Sequence, residues 1–360
     1  VGIVSHAKIV ADCAQARKVM DMARDLMVAA QNASPSDLHQ QAAKLAQASE
    51  PREMHRSDAS ALDLIRDFAD RDQPDAKPVR PPIPTPWPGL TRILNGGWTG
   101  GNRPYYFGAR RKNGKTSAGL GIAADAAFNR GFKVILFEIE IAMEATLNRL
   151  VSLCSEVPHK SILDRRFTAD EHVRYVQALE LCYNNNLRID ASRVIGKGQR
   201  GVNVIGSKTI EAIRKTIARV VAEGPLDLIV VDHLQVIQPP FPCPIFERVT
   251  QASNGLAAIT QEFGIPVVAM LQLNDAKGGE PPTALDTRGG QEIGNDCEAL
   301  ILLDRPPLRR SQKEQERLSP AEKEEAALIV ALHGSGETGT IPMTYRGECM
   351  RWYQAGHETY

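Results

Sequence analysis

Eight residues, Ala109-Arg110-Arg111-Lys112-Asn113-Gly114-Lys115-Thr116, constrain the fold of this chain more than any other stretch. An apolar, aromatic run (Tyr105, Tyr106, Phe107) precedes them, and the small-residue run SAGLGIAADAA follows. A strand, a loop and a helix in that order let successive backbone N–H groups and a helix N-terminus cradle a polyphosphate. Gly114 allows close approach of the backbone, Lys115 reaches the β- and γ-phosphates, and Thr116 can hold Mg²⁺. ATP and Mg²⁺ are the ligands this pattern predicts, held by residues 109–116 with Ser117 on the first helical turn. The first position is Ala109, where the generic pattern has Gly.

Downstream, strand and helix alternate. Apolar runs at 133–140 (KVILFEIE), 226–232 (LDLIVVD), 265–273 (IPVVAMLQL), 299–303 and 326–332 predict strands, with helices at 171–184, 208–223 and 247–263. A shorter strand is expected at 187–190. Strands apolar on both faces, alternating with helices, imply an α/β fold with a mostly parallel sheet between helices. Ligands of such a sheet bind outside the carboxyl ends of its strands. Chemically capable residues stand there. Asp232 ends LIVVD, where a carboxylate can hold magnesium. Glu140 ends KVILFEIE, where it can orient or deprotonate a water. Glu138 shares its face by strand alternation and lies farther from the strand end. Gln272 ends the next strand, where an amide can sense a γ-phosphate. The mixed-charge segment 304–325 reads as an exposed loop with some helix.

Before the phosphate loop the pattern changes. Residues 5–31 and 35–49 read as a helical hairpin, with Ser34 and Pro35 marking the second start. A short amphipathic helix is expected at 58–71. Seven prolines among residues 74–88 then make a stiff extended linker. Three regions result: a hairpin at 1–50, a linker with a docking helix at 51–82, and an ATPase domain at 83–360. The chain opens on Val1, which reads as a piece of a longer product. Lysine plus arginine equals aspartate plus glutamate at 43 each, so bulk charge does not advertise nucleic acid, and any such contact must be a local patch. Six cysteines lie scattered without a Cys-x-x-Cys pair, as in a reduced, cytoplasmic protein.

Taken together these segments resemble the C-terminal, RecA-like ATPase domain of DnaB-type replicative helicases, collinearly from Ile83 to about Tyr353. IPTPWPGLTRILNGGWTGG is similar to that family's entry segment and GARRKNGKT to its phosphate loop, with Arg111-Lys112-Asn113 where the family usually has Pro-Ser-Met. FEIEIAMEATLNRL resembles its strand with the catalytic glutamate, so Glu140 and Arg149 take the roles of that glutamate and the helix arginine. LDLIVVDHLQVI resembles its magnesium strand, with His233 for the usual Tyr. VVAMLQLN makes Gln272 the γ-phosphate sensor, and DTRGGQEIGNDCEALILLDR resembles the DNA-contacting loop, with Arg288, Gly289 and Gly290 toward DNA. The hairpin and the 58–71 helix resemble the end of the family's N-terminal domain and its linker helix. The resemblance implies an ATP-dependent helicase or translocase gripping single-stranded DNA inside a homo-hexameric ring, with primase or a helicase loader as partners.

The chain departs from that family in places. Gly289-Gly290-Gln291 replaces Glu-Ser-Gly, and Ile293-Gly294-Asn295-Asp296-Cys297-Glu298 replaces Ile-Glu-Gln-Asp-Ala-Asp. In the hairpin ALHGSGETGTIPMTY the family has a Lys and an Arg that reach the neighbouring subunit's phosphate. Here Leu332 and Gly334 occupy those positions, and Arg309 and Arg310 are the cations of the nearby charged loop. A transferred arginine finger is typically worth roughly 10³–10⁵ in rate. Two readings follow: a working helicase, or an ATP-binding assembly protein with little turnover.

Overall fold

The computed structural model describes residues 80–356, apart from 102, 184–185, 196–201, 205, 240, 275–278, 288–296 and 335, together with Arg24. The helical hairpin, the 58–71 helix and residues 74–79 of the proline-rich linker lie outside the described residues, as do Arg288, Gly289 and Gly290.

Six mutually parallel strands form the centre of the domain: β1 (Tyr105–Ala109), β2 (Val134–Glu138), β3 (Leu187–Ala191), β6 (Leu228–Asp232), β7 (Val267–Gln272) and β8 (Ala299–Asp304). Beyond β8 the sheet turns antiparallel through β9 (Glu325–His333), β10 (Gly339–Arg346) and β11 (Arg351–Gln354). These nine strands make one sheet in the order β11-β10-β9-β8-β1-β7-β6-β2-β3. A separate ribbon pairs β4 (Arg193–Ile195) with β5 (Val202–Val204).

Burial explains the strand pattern. Every residue of β1, β2, β6 and β8 is buried, as a strand covered on both faces requires. β9 and β10 instead alternate buried and more exposed positions, so one of their faces is only partly covered. One apolar core holds Trp87, Trp98, Phe107, Leu136 and Met270 on one side of the sheet. The other holds Phe137, Ile213, Val231, Leu256 and Leu271.

Helices cover both faces. α1 (Pro88–Ile93) precedes β1, and α2 (Lys115–Ala124) follows the phosphate loop and runs on into a π-turn at Asp125–Asn129. Next come α3 (Met143–Ser155), α4 (His159–Asp164) and α5 (Ala169–Cys182), then α6 (Ile210–Glu223) and α7 (Ile245–Phe263). Thr168 caps α5 reciprocally with Glu171, satisfying two amide groups at that helix start. The charged segment 304–325 holds a 3₁₀ turn at Pro306–Arg309 and two short capped helices, α8 (Gln312–Glu316) and α9 (Pro320–Glu324).

Two features of the strand ends have consequences for chemistry. β2 stops at Glu138, short of the sequence expectation, so Glu140 stands in the loop beyond the strand end. The chain turns there because Glu138 Oε1 accepts the backbone N–H groups of Glu140 (3.1 Å) and Ile141 (3.0 Å), drawing the backbone off the strand path. Register then aligns the strand ends, pairing Glu138 with Asp232 across β2 and β6, and Ala109 with Gln272 across β1 and β7.

Candidate functional site

The phosphate loop leaves the end of β1 and returns as α2. Ala109 is fully buried, and its carbonyl accepts the N–H of Leu273, pinning the loop's origin to the end of β7. Lys112 (φ 62°) and Gly114 (φ 77°) both take left-handed backbone conformations, which wrap the loop tightly before α2. A Cβ at Gly114 would meet Trp352 Nε1 at 2.9 Å and Tyr345 Cε2 at 3.0 Å, so glycine is demanded here by space as well as by φ. Asn113 is buried and its Nδ2 donates to the Arg111 carbonyl (3.1 Å), closing the loop on itself. Arg111 and Lys112 are exposed. The first N–H groups of α2 have no carbonyl within the helix to reach, and these are the donors a phosphate takes up.

Lys115 opens α2 and is buried, with its Nζ 3.6 Å from Asp232 Oδ1. Burial lowers its pKa, and the nearby Asp232 and Glu140 charges pull it back up. Asp232 is 2% exposed, and neither of its carboxylate oxygens has a hydrogen-bond partner. A buried carboxylate is costly unless a cation or donor satisfies it. Magnesium is commonly held by one or two protein oxygens, with phosphates and water completing its shell. Asp232 with Thr116 on the first turn of α2 fits that donor set, and no cluster of three His, Cys, Asp or Glu capable of enclosing a metal occurs among the described residues.

Glu138 is almost fully buried, and its pKa is pushed up to about 8, first by burial and then by the Asp232 charge in the adjacent strand. Its Oε1 supports the loop that carries Glu140, while its Oε2 has no partner. Glu140 is exposed and projects toward the crevice, with Oε2 3.1 Å from His233 Nε2. Chemically, Glu140 is the carboxylate free to meet a water, and Glu138 is the one that shapes its loop.

Gln272 ends β7 beside the phosphate loop. Its backbone N–H donates to Gln235 Oε1 (3.0 Å), and its carbonyl accepts from Gln235 Nε2 (2.9 Å). Lys115 therefore lies beside Asp232, and the contacts of His233 with Glu140 and of Gln235 with Gln272 place the ends of β2, β6 and β7 side by side next to the phosphate loop. Ser117 differs: its hydroxyl is turned to the Tyr345 hydroxyl at 3.1 Å, leaving its backbone N–H for a phosphate. Arg110 is held by Asp286 (3.1 Å) and the Glu280 carbonyl (2.6 Å). Arg309 is likewise occupied, donating to Asp304 (3.1 Å) and the Gly279 carbonyl. Leu332 packs against the core, and the Gly334 N–H donates to the Glu298 carbonyl (2.8 Å).

Sequence reasoning missed the roles of several participants. His233 and Gln235 follow β6, and only their side-chain contacts reveal their surroundings. Arg305 Cζ lies 4.4 Å from the centre of the Tyr345 ring, and its Nη1 donates to the Lys112 carbonyl. This cation–ring contact holds the Arg305 charge beside the phosphate loop. Trp352 Nε1 donates to the Gly114 carbonyl at 3.2 Å, bracing the loop from the last strand. Nothing local to residues 305, 345 or 352 signals this, because the contacts form only when the C-terminal strands fold against α2.

Comparisons with known proteins bear on this geometry. The family model described as DnaB-like helicase C terminal domain matches residues 83–354. The replicative DNA helicase DnaB of Buchnera aphidicola subsp. Baizongia pistaciae is 24% identical over 284 residues, covering 74% of this chain and 57% of that protein. The Haemophilus influenzae DnaB helicase is 24% identical over 251 residues, covering 68% of this chain and 49% of that protein. This chain thus spans about half the length of the curated relatives it matches. Among solved structures, a DnaB-like replicative helicase described with its interactions with primase superposes with a TM-score of 0.71 at 18% identity. That match covers 97% of this chain and 78% of the other. A second solved structure, described as an ATPase domain, superposes at 0.66, also 18% identical, covering 82% of this chain and 99% of that domain. The fold is thus the RecA-like α/β fold of those ATPase domains, and with the family model matching most of its length, the chain belongs to the DnaB-like helicase C-terminal domain family.

Proposed function

We propose that this chain carries the motor of an ATP-dependent replicative DNA helicase, binding ATP and Mg²⁺ at the ends of β1, β2, β6 and β7. The observation that carries this reading is the meeting of Lys115, the buried Asp232 carboxylate 3.6 Å from it, the exposed Glu140 and the end of β7 around one phosphate loop. Residues 109–117 supply the backbone cradle, and Lys115 neutralises the β- and γ-phosphates. Thr116 and Asp232 would hold magnesium, which offsets charge on the phosphates. Glu140 orients and deprotonates the attacking water, and Gln272 reports the presence of the γ-phosphate.

Single-stranded DNA would be gripped by the loop at Arg288, Gly289 and Gly290 in the channel of a homo-hexameric ring. The regions at 1–50 and 51–82 would serve as the end of an N-terminal domain and a linker that docks on a neighbouring subunit, and primase or a helicase loader would bind the assembly. The hairpin residues Leu332 and Gly334 offer no trans cation, so turnover is expected to be slow unless a neighbour supplies one from elsewhere.

Steady-state ATP hydrolysis with and without single-stranded DNA tests the proposal, beside unwinding of a forked duplex. DNA-stimulated turnover that Lys115→Ala reduces at least roughly 100-fold is the expected result. Nucleotide binding without turnover, unchanged by DNA, overturns the helicase reading and favours an ATP-stabilised assembly.

A further inference from the structure

The cysteines are scattered along the sequence, yet the fold brings two of them together. Cys154 stands near the end of α3 and Cys182 is the last residue of α5, and their thiols hydrogen-bond to one another. Their meeting follows from how the two helices pack. Arg174, Ala178 and Cys182 recur at four-residue spacing, which puts them on one stripe of α5. Along that stripe Arg174 Nη1 donates to the Ser155 and Glu156 carbonyls (both 2.9 Å), Ala178 shares an apolar cluster with Val151, and Cys182 meets Cys154. One helix seam thus fixes both sulfurs. Both thiols are half-buried, and neither is in a disulfide. Cys154 lines a cavity of about 230 Å³ shared with Trp87, Gly121, Leu181 and Trp352. Cys182 lies where α5 runs out to solvent, beside Tyr183, which is 94% exposed. The hydrogen bond, and after it burial, pushes the Cys154 thiol well above its ordinary pKa, while the same bond lowers that of Cys182. Cys182 is therefore the thiol that ionises more readily, and the thiolate is the reactive form.

We propose that Cys154 and Cys182 are a redox-active pair that a small peroxide oxidises to a disulfide joining the ends of α3 and α5. The Cys182 thiolate attacks one peroxide oxygen, the O–O bond breaks, and the hydroxide that leaves takes up the thiol's proton as water. The Cys154 sulfur then attacks the sulfenic sulfur so formed. An S–S bond replaces the S–O bond, and the hydroxyl leaves with the Cys154 proton as a second water. Two thiols lose two electrons, and one peroxide gains them. A hydrogen-bonded thiol pair needs only a short approach to reach the S–S distance of about 2 Å. The cross-link makes covalent a seam that Arg174 already holds by hydrogen bonds, and a dithiol reverses it. The inference is independent of the ATPase reading, since neither cysteine belongs to the phosphate loop or to the groups at the strand ends.

In the experiment the full chain, purified reduced, is exposed to hydrogen peroxide, quenched by alkylation, and mapped by peptide mass spectrometry without and with dithiothreitol. The expected product is an intramolecular cross-link between the peptides holding Cys154 and Cys182, lost on reduction. Cys243, also half-buried, should join no such cross-link. In Cys154→Ser the sulfenic acid on Cys182 has no thiol beside it to resolve it. Dimedone should therefore label Cys182 in that variant at least about fivefold more than it labels Cys154 in Cys182→Ser. Thermal melting checks that both variants are folded before labelling, and the wild-type cross-link is read without any variant. Cysteines 154 and 182 that both stay alkylatable after peroxide, that end as separate sulfinic acids, or that cross-link only between chains overturn the proposal. The pair is then two small packing groups and no more. Dimedone labelling that is equal in the two variants, or greater at Cys154, overturns the assignment of Cys182 as the attacking thiol.

Discussion

Two carboxylates two residues apart take opposite environments, and the difference lies in which one the strand carries inward. Glu138 ends β2 in the core beside Asp232, whereas Glu140 stands past the strand end in solvent. The folded-state pKa of Glu138, about 8, lies above that of an unfolded glutamate, so its charged form is disfavoured in the fold. The sign follows: the protonated group costs nothing below the unfolded pKa of about 4.3, and the fold loses stability as pH rises from there through about 8. Glu138→Gln keeps an oxygen for the Glu140 and Ile141 amides and removes the titration. In metal-free buffer its melting temperature, relative to wild type, should rise by at least about 2–4 °C between pH 5 and pH 8. Parallel melting curves across that range would refute the assignment. The places of Asp232 and Gln272 at strand ends were legible from the sequence because an apolar run ending in a polar residue is a local signal, and that of Lys115 because the loop pattern sets it at a helix start. The His233 contact to Glu140 was not, because it spans separate strands and depends on where β2 stops.

At the level of elements, the phosphate loop is not a self-sufficient strand–loop–helix unit. β10 and β11 close over it, with Tyr345 on Ser117 and Trp352 on Gly114. The alternation of strands and helices was legible down to a few residues at most ends, including the carboxyl ends that define the crevice. The short α4, the β4–β5 ribbon and the antiparallel turn of the sheet were not. α4 and the ribbon strands are too short for periodicity to register, and antiparallel pairing is decided by which edge a hairpin meets. The brace makes a sharp prediction at Gly114. Gly114→Ala should weaken ATP binding at least about 10-fold, because the methyl meets Trp352 and the backbone holds φ 77°. Isothermal titration with a non-hydrolysable ATP analogue measures it. Trp352→Phe, which removes the donor to the Gly114 carbonyl and keeps most of the bulk, should weaken binding by a smaller factor of about 2–5.

For the molecule as a whole, equal numbers of acidic and basic residues place any nucleic-acid contact in a local patch. If single-stranded DNA is gripped through its phosphates, affinity should fall steeply with salt and vary little with base sequence. Fluorescence anisotropy of labelled oligonucleotides between about 50 and 200 mM salt, titrated with ATP-bound protein, checks both. Arg288→Ala should reduce the slope of log affinity against log salt by about 0.7, the share of one phosphate contact on a single strand. A slope that does not change removes Arg288 from the proposed DNA loop. The family of the chain was readable from motif order.

The hydrogen bond from Trp352 to Gly114 joins residues 238 positions apart in the chain. On a ribosome adding about 5–20 residues per second, the phosphate loop would wait roughly 12–48 s for its brace to be made. During that interval the first half of the sheet has a nucleotide loop without the wall that shapes it. A nascent chain would thus hold its phosphate loop unbraced, with weaker hold on a nucleotide, until β11 has emerged.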